Sequence, residues 1–392
     1  MMNTSLPTLP ERTLRKAELA DLVALLEAQH RQKIDLVAPL SSIRYNGGQM
    51  EIGALDPVID ESGVTDVNGL YRPTRTTDSQ LGDQFGIPLR YMDKMRTEHV
   101  ALLDTNINEW AARAPEGKNV LIRMIYGSDE RYPGTSGIVR AVKSDRYGIR
   151  DNLDTVLAVL DGMREAGLEA TNFAGADITD DRMWFRISAP EIFVSAPELL
   201  EGYRDPRTGR TSRSVGDVVY AGVRVENSET GWASLKVIPE ITVLACTNGM
   251  TINKAAHRQV HMGARMDEGS IQWSQRTQEV ANELTKNQVK DAIASFMTTD
   301  FLTSAVAEIT QTAITELTSP EKAIEVVAKK LSYSDTEKDG ILAHFIKGGQ
   351  LTAGGILQAV TSFAQDITDV TRANEFGATG IEAMELAAAS VR

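Results

Sequence analysis

Apolar positions recur along this chain with two periods, and the changes between them divide it. Over residues 17–29, AELADLVALLEAQ, the residues Leu19, Leu22, Val23 and Leu26 stand three or four apart, which predicts a short amphipathic helix. Residues 40–75 keep neither period and carry Asn-Gly-Gly at 46–48 with several Asp and Pro, so irregular strands and loops are expected. Helical spacing returns in TTDSQLGDQFGIPLRYMDKMRTEHVALLDTNINEWAARA. There Thr77 or Asp78 suits an N-cap, Gly86 makes a break and Pro88 suits a new first turn, so short helices follow one another.

The period then drops to two. KNVLIRMIYG (118–127) and TSGIVRAVKS (135–144) read as strands joined by a polar loop holding Pro133 and Gly134. A helix follows, ending at Gly167. Asp151 or Asn152 can accept its first N–H groups, Asp154 suits the positive end of its dipole, and Leu153, Val156, Leu157, Leu160 and Met163 form its buried stripe. LEATNFA (168–174) and DRMWFRIS (181–188) make another strand pair, the second alternating Met183, Phe185 and Ile187 against Trp184, Arg186 and Ser188. Beyond a loop to about 215, GDVVYAGVRVEN (216–227) and WASLKVIPEITVLACTN (232–248) add two more strands. From about 271 onward Ala, Thr, Leu and Glu recur at helical spacing with Pro320 the single proline, and breaks fall near 300, 319, 333 and GGQLTAGG (348–355). The expected class is α+β. A mostly helical N-terminal region with irregular strands spans 1–115, a core domain with a central antiparallel sheet and packed helices spans 116–270, and an all-α region spans 271–392.

Composition narrows the function classes. The chain has 392 residues, 42% of them hydrophobic, enough for a sizeable core in two or three regions. A formal net charge of -13 argues against wholesale binding of a polyanion, but screening over roughly 10 Å allows a local basic strip to act on an acidic protein. The lone cysteine, Cys246, excludes an internal disulfide and a multi-thiolate zinc site and fits a reducing cytoplasm. No stretch approaches the roughly 18 apolar residues of a membrane span, and the first twenty residues carry no secretory pattern, so a soluble, unexported protein is expected.

Phosphate-cradling and dinucleotide glycine motifs are absent, as is a nucleophile elbow, so no cofactor is expected. His257 and His261 in AHRQVHMG stand four apart, which on a helix would aim both imidazoles at one ion. They bring no third ligand, so structural or phosphate-facing histidines are the preferred reading and no metal is expected. Two basic elements stand out. The loop YRDPRTGRTSRS carries Arg204, Arg207, Arg210 and Arg213 against Asp205, either as phosphate contacts or as a solvated surface loop. Arg140, Lys143, Arg146 and Arg150, with Tyr147 among them, flank the strand-to-helix junction at Ser144-Asp145. That junction is either a cationic ledge with a stacking face or a structural pin in which Tyr147 closes the core edge. Residues 80–95 also suit a helix-turn-helix exposing Arg90 and Lys94, though any tight helical hairpin satisfies the pattern.

GIPLRYMDKM with NINEW, RAVKSDRYGIRDNLDTV, GDVVYAGVRVENSETGWASLKV, ITVLACTNGM and HRQVHMG follow one another over roughly residues 70–265. In this they resemble the phage- and plasmid-borne family catalogued as domain of unknown function 932. LTAGGILQAVTSFAQDI is similar to the tail of its phage members. Asp145, Asn152, Asn227, Glu229, Asn248, His257 and His261 stand at family landmarks; Trp232 departs from the small residues common at its position. The resemblance implies a bacteriophage or other mobile-element protein of the bacterial cytoplasm and no defined chemistry. By fold-level analogy with phage single-strand annealing proteins, the leading expectation is a non-catalytic DNA-metabolism protein. It would bind single-stranded DNA in annealing or recombination through Arg140, Lys143, Arg146, Tyr147, Arg150 and the 204–213 arginines, and oligomerise through its helical C-terminal region. The alternatives are a protein-interaction or structural factor in phage replication or host takeover, and a nucleic-acid-directed enzyme.

Overall fold

The computed structural model describes residues 6–53, 55–61, 63–211, 216–244, 249–252, 257–259, 269–270 and 275–391. Among them the α+β class is borne out: two antiparallel-rich sheets occupy the N-terminal and central parts, and helices make up the C-terminal part. The first sheet has the order β1 (Leu14–Ala17), β10 (Phe173–Ile178), β11 (Met183–Ser195), β12 (Val218–Asn227), β13 (Leu235–Val243) and β14 (Gly249–Thr251), with β15 (His257–Gln259) also on β13. The second has the order β16 (Gly269–Ser270), β2 (Lys33–Pro39), β8 (Asn119–Tyr126), β9 (Gly137–Ser144), β7 (Gly69–Pro73), β4 (Gln49–Ile52) and β3 (Arg44–Asn46). Only its β7–β9 pair is parallel. A separate hairpin joins β5 (Val58–Asp60) to β6 (Gly63–Thr65).

The second sheet draws strands from both sides of the boundary expected at 115/116, since β2 pairs with β8 and β7 with β9. Pairing of strands distant in sequence, invisible to local periodicity, puts both parts into one unit. Its apolar face packs on α2 (Arg75–Phe85), α3 (Leu89–Glu98) and α4 (Val100–Ala112) around Leu81, Met92, Leu103, Ile122 and Val139. Thr74, rather than Thr77 or Asp78, caps α2: its hydroxyl accepts the Thr77 N–H at 3.2 Å. Gly86 ends that helix with φ of 69°, in the left-handed region where glycine has no steric penalty. The helical hairpin leaves Arg90 and Lys94 exposed, as the pattern requires.

The first sheet buries one face and keeps a polar one. Met183, Phe185 and Ile187 of β11 enter the core with Val223 and Val225 of β12 and Val237 and Ile241 of β13, so the predicted alternation holds. Against this face pack α1 (Leu19–Gln32) and α5 (Asn152–Glu165). The C-terminal helices continue the same core: α7 (Gln275–Phe296), α8 (Thr299–Ala313), α9 (Pro320–Lys330), α10 (Asp335–Gly348), α11 (Ala353–Phe363), α12 (Val370–Gly377) and α13 (Gly380–Ala389). In α5 the buried stripe uses Val159 and leaves Leu157 half exposed. Residues 170–172 form a short 3-10 turn, so the strand expected at 168–174 begins at Phe173. The expected 189–215 loop is shorter, because β11 runs to Ser195 and a single turn, α6 (Pro197–Leu200), follows. No helix among the described residues is long and apolar enough to cross a membrane.

Candidate functional site

Two polar constellations stand out, one buried and one open. The buried one answers the question of the strand-to-helix junction. Arg123 of β8 is fully enclosed and reaches Asp35 of β2 at 2.8 and 3.1 Å, Asp151 at 2.6 Å and the Glu229 carbonyl at 2.9 Å. Lys33 holds the other Asp151 oxygen, and Arg140 of β9 pairs with the Glu229 carboxylate. The second Glu229 oxygen accepts the Asn152 N–H at 2.5 Å, while Asn227 donates to the Asn152 side chain at 2.8 Å. Three cations (Lys33, Arg123 and Arg140) face three carboxylates (Asp35, Asp151 and Glu229), so the cluster is balanced.

Asp151 is therefore not a side-chain cap for α5, as the sequence suggests. It sits at the capping position, but both its oxygens serve Arg123 and Lys33, and Glu229 from the β12–β13 turn supplies the cap. Burial raises the Asp151 pKa, and the charges of Arg123 and Lys33 outweigh it to hold the carboxyl well below the ordinary range.

This geometry corrects the ledge. Arg140 and Tyr147 are buried, at 6% and 8% exposure, and the Tyr147 hydroxyl donates to the Ser228 carbonyl at 3.1 Å. A ring closed in this way offers no stacking face. Lys143 is half-buried with its ammonium 5.2 Å from the Tyr147 ring centroid, and burial lowers its pKa. Arg150 donates to Thr285 and to the Ala281 carbonyl of α7, and its pKa too is lowered by burial. Arg146 alone of these five residues is classed as exposed. The structural pin prevails because a strand end carrying this much charge lies where two sheets meet, and only paired charges survive there. Asn152, Asn227 and Glu229, landmarks from two distant segments, meet in this cluster. Asp145 is half-buried. Residues 257–259 are strand, so the helical spacing supposed for His257 and His261 does not apply; Arg213, Asn248 and His261 lie outside the described residues. Among the described residues no group of three or more His, Cys, Asp or Glu is arranged to hold a metal ion.

The open constellation is a cleft of about 390 Å³ on the polar side of the first sheet. Arg15 and Lys16 of β1, Arg186 of β11 and Arg207 of the 204–211 loop line it, with Asp177 and Glu240 as its carboxylates. A bulge creates the β1 wall: Leu14 pairs with Ile178 and Ala17 with Ala176, so two residues of β1 stand against Asp177 alone. Lys16 takes φ of 50°, and its N–H donates to Asp177 Oδ1 at 2.8 Å. Its pKa is lowered by burial and by the neighbouring charges of Arg15, Arg207 and Arg186, against Asp177. Arg15 reaches the carbonyl of Gln365 at 3.0 Å, and Arg186 binds Asp177 at 3.0 Å and the side chain of Asn374. Asn374 of α12 in turn donates to Asp177 at 2.9 Å, so the helical region forms the opposite wall.

On the sheet face Arg186 stands directly across from Arg224, which is 5% exposed with its Nε buried and unpartnered. Burial lowers the Arg224 pKa, and Glu240 acts against that. The 204–211 loop is pinned by the wholly buried Asp205, whose carboxylate accepts the Arg207 N–H at 3.1 Å and the Thr208 hydroxyl at 2.5 Å. Arg204 and Arg210 are exposed on the same loop. Of the nine cationic and aromatic candidates read from the sequence, the cleft therefore takes one, Arg207. Arg15, Lys16 and Arg186 escape a reading by local charge density, because β1 and β11 lie far apart in the chain and meet only through the sheet. The alternation that turned Arg186 away from the core was the one available signal. No protein-family model, curated protein or solved structure matches this chain.

Proposed function

We propose that this protein binds single-stranded nucleic acid non-catalytically, with phosphate groups held by the cleft and the adjoining 204–211 loop. One observation carries the reading: four cations from three separate segments line a single cleft in a chain of net charge -13. Arginine forks and a lysine suit phosphate oxygens, and a rigid loop carries Arg204 and Arg210 beside them. The reading keeps the setting that the resemblance implies, a mobile-element protein of the bacterial cytoplasm acting in annealing or recombination. The helical region serves here as a wall of the cleft. Its apolar faces pack into the chain's own core, so self-association through it is not part of the reading.

A labelled oligonucleotide titrated at two salt concentrations tests this. Binding is expected to weaken as salt rises, with a log-log slope of about -0.7 per phosphate neutralised. Changing Arg15 and Arg207 together to Gln should weaken binding and flatten that slope, whereas Arg146→Gln should leave both unchanged. Absence of binding at low salt would overturn the reading and favour a protein-interaction role.

A further inference from the structure

A groove for a nucleic-acid backbone spreads its cations along the strand, because each internal phosphodiester carries one charge. The cleft does the opposite. Arg15 and Lys16 from one strand, Arg186 from another and Arg207 from a loop line one void, and Arg224 lies buried beside Arg186 with its Nε unpartnered. Of the two lining carboxylates, Asp177 is engaged by the Lys16 N–H, Arg186 and Asn374, and Glu240 acts on Arg224, while the Arg207 guanidinium lies 3.6 Å from the Asp205 carboxylate. Among the described residues no hydrogen-bond partner or carboxylate in ion-pair range meets the Lys16 ammonium.

The backbone adds a second sign. Lys16 is one of two non-glycine residues among those described with positive φ, a conformation that persists only where the surroundings impose it. Without the bulge, β1 would alternate its side chains, and Arg15 and Lys16 would point to opposite faces. This bulge, on the edge strand of the sheet, brings two adjacent cations to one cleft.

We propose that the cleft is a receptor for a terminal phosphate monoester at the end of a nucleic-acid strand. The proposal rests on the nucleic-acid reading above and names the group that it recognises. A monoester carries about -1.5 to -2 charges near neutral pH and three acceptor oxygens, so it profits from convergent cations as an internal diester cannot. A void of about 390 Å³ is near the lower end of small-ligand sites, with room for an end residue and not for a run of nucleotides.

The test uses the full chain and fluorescence anisotropy with one thymidine oligonucleotide in three forms: 5′-phosphorylated, 3′-phosphorylated, and with hydroxyl at both ends. At least one phosphorylated form is expected to bind about tenfold tighter than the hydroxyl form, the worth of one charged hydrogen-bonding group. Lys16→Gln and Lys16→Gly should each erase that preference while the thermal midpoint is retained. Equal binding of all three forms would overturn the terminal-phosphate proposal and leave the nucleic-acid reading standing, as would a preference that survives in a folded Lys16→Gln protein. Binding of none would overturn both. Inorganic phosphate and thymidine monophosphate are the competing arms: displacement of the phosphorylated oligonucleotide supports recognition of the phosphate, while tight binding of the mononucleotide with no oligonucleotide binding assigns the cleft to a free nucleotide and overturns the strand-end proposal.

Discussion

Glu229 shows how one residue can look functional in sequence and act structurally. Its carboxylate is 7% exposed as a residue and joins Arg140 to the start of α5, so it caps a helix that lies far from it in the chain. Removing one partner of a buried ion pair leaves the other uncompensated, which costs about 3–5 kcal/mol. Glu229→Ala is expected to destabilise the fold by that amount in urea denaturation. Pairing it with Arg140→Met should recover only part of the loss, because the Asn152 N–H remains without its acceptor. Full additivity of the two single changes would show that the residues are not coupled. That the junction carried charge and an aromatic was legible in the sequence. Whether those groups faced water was not, since each meets a partner from another strand.

Among the elements, α11 is the clearest case of composition overriding local rules. AGGILQAVTSF has no polar face, and every residue from Ala353 to Ser362 is buried, as expected of a helix packed on all sides. The glycines at 354 and 355 suggest a break, yet they lie inside the first turn of this helix, and only residues 349–352 interrupt the chain. Close packing explains them. A Cβ on Gly355 would lie 2.1 Å from the Gln350 carbonyl oxygen and 3.0 Å from the Phe345 ring. Alanine gains about 1 kcal/mol over glycine in a helix interior, but forcing an atom against backbone costs about 1–3 kcal/mol. Gly355→Ala is therefore expected to lower stability by up to about 2 kcal/mol in chemical denaturation, and a stabilised variant would refute the packing account. Helix and strand identities elsewhere were largely legible, because periods of 3.6 and 2 survive where one face is buried.

At the scale of the whole molecule, charge pairs tie distant segments together and set how the fold responds to acid. Asp151 is depressed by Arg123 and Lys33 against the cost of its burial, and Glu337 is pushed down to about 2, chiefly by its hydrogen bonds with Arg372. A carboxylate with a lowered folded pKa adds stability that is present above its unfolded value of about 4 and is lost as pH falls through the folded one. Asp78, Asp154 and Asp181 are raised by burial and act in the opposite sense, losing stability as pH rises through their own folded values. The urea midpoint is accordingly expected to fall steeply below about pH 4. Glu337→Gln should lessen that acid dependence, and a midpoint that stays flat down to pH 3 would contradict the paired state of these carboxylates.

Sequence by itself determined the α+β class, the positions of most helices and strands, the inward alternation of β11 and the helical C-terminal part. Each of these follows from which side of a local element is apolar, a property written in neighbouring residues. Tertiary structure alone decided that the described strands gather into two large sheets and a separate hairpin, that the second sheet crosses the expected boundary at 115/116, and which charges meet. Lys33, Arg123, Arg140, Asp151 and Glu229 are scattered in sequence and are brought together by strand pairing. Arg15, Lys16, Arg186 and Arg207 are gathered by a bulge, a sheet and a pinned loop. A charge carries no record of its partner in its own segment, because electrostatics acts through space while periodicity acts along the chain.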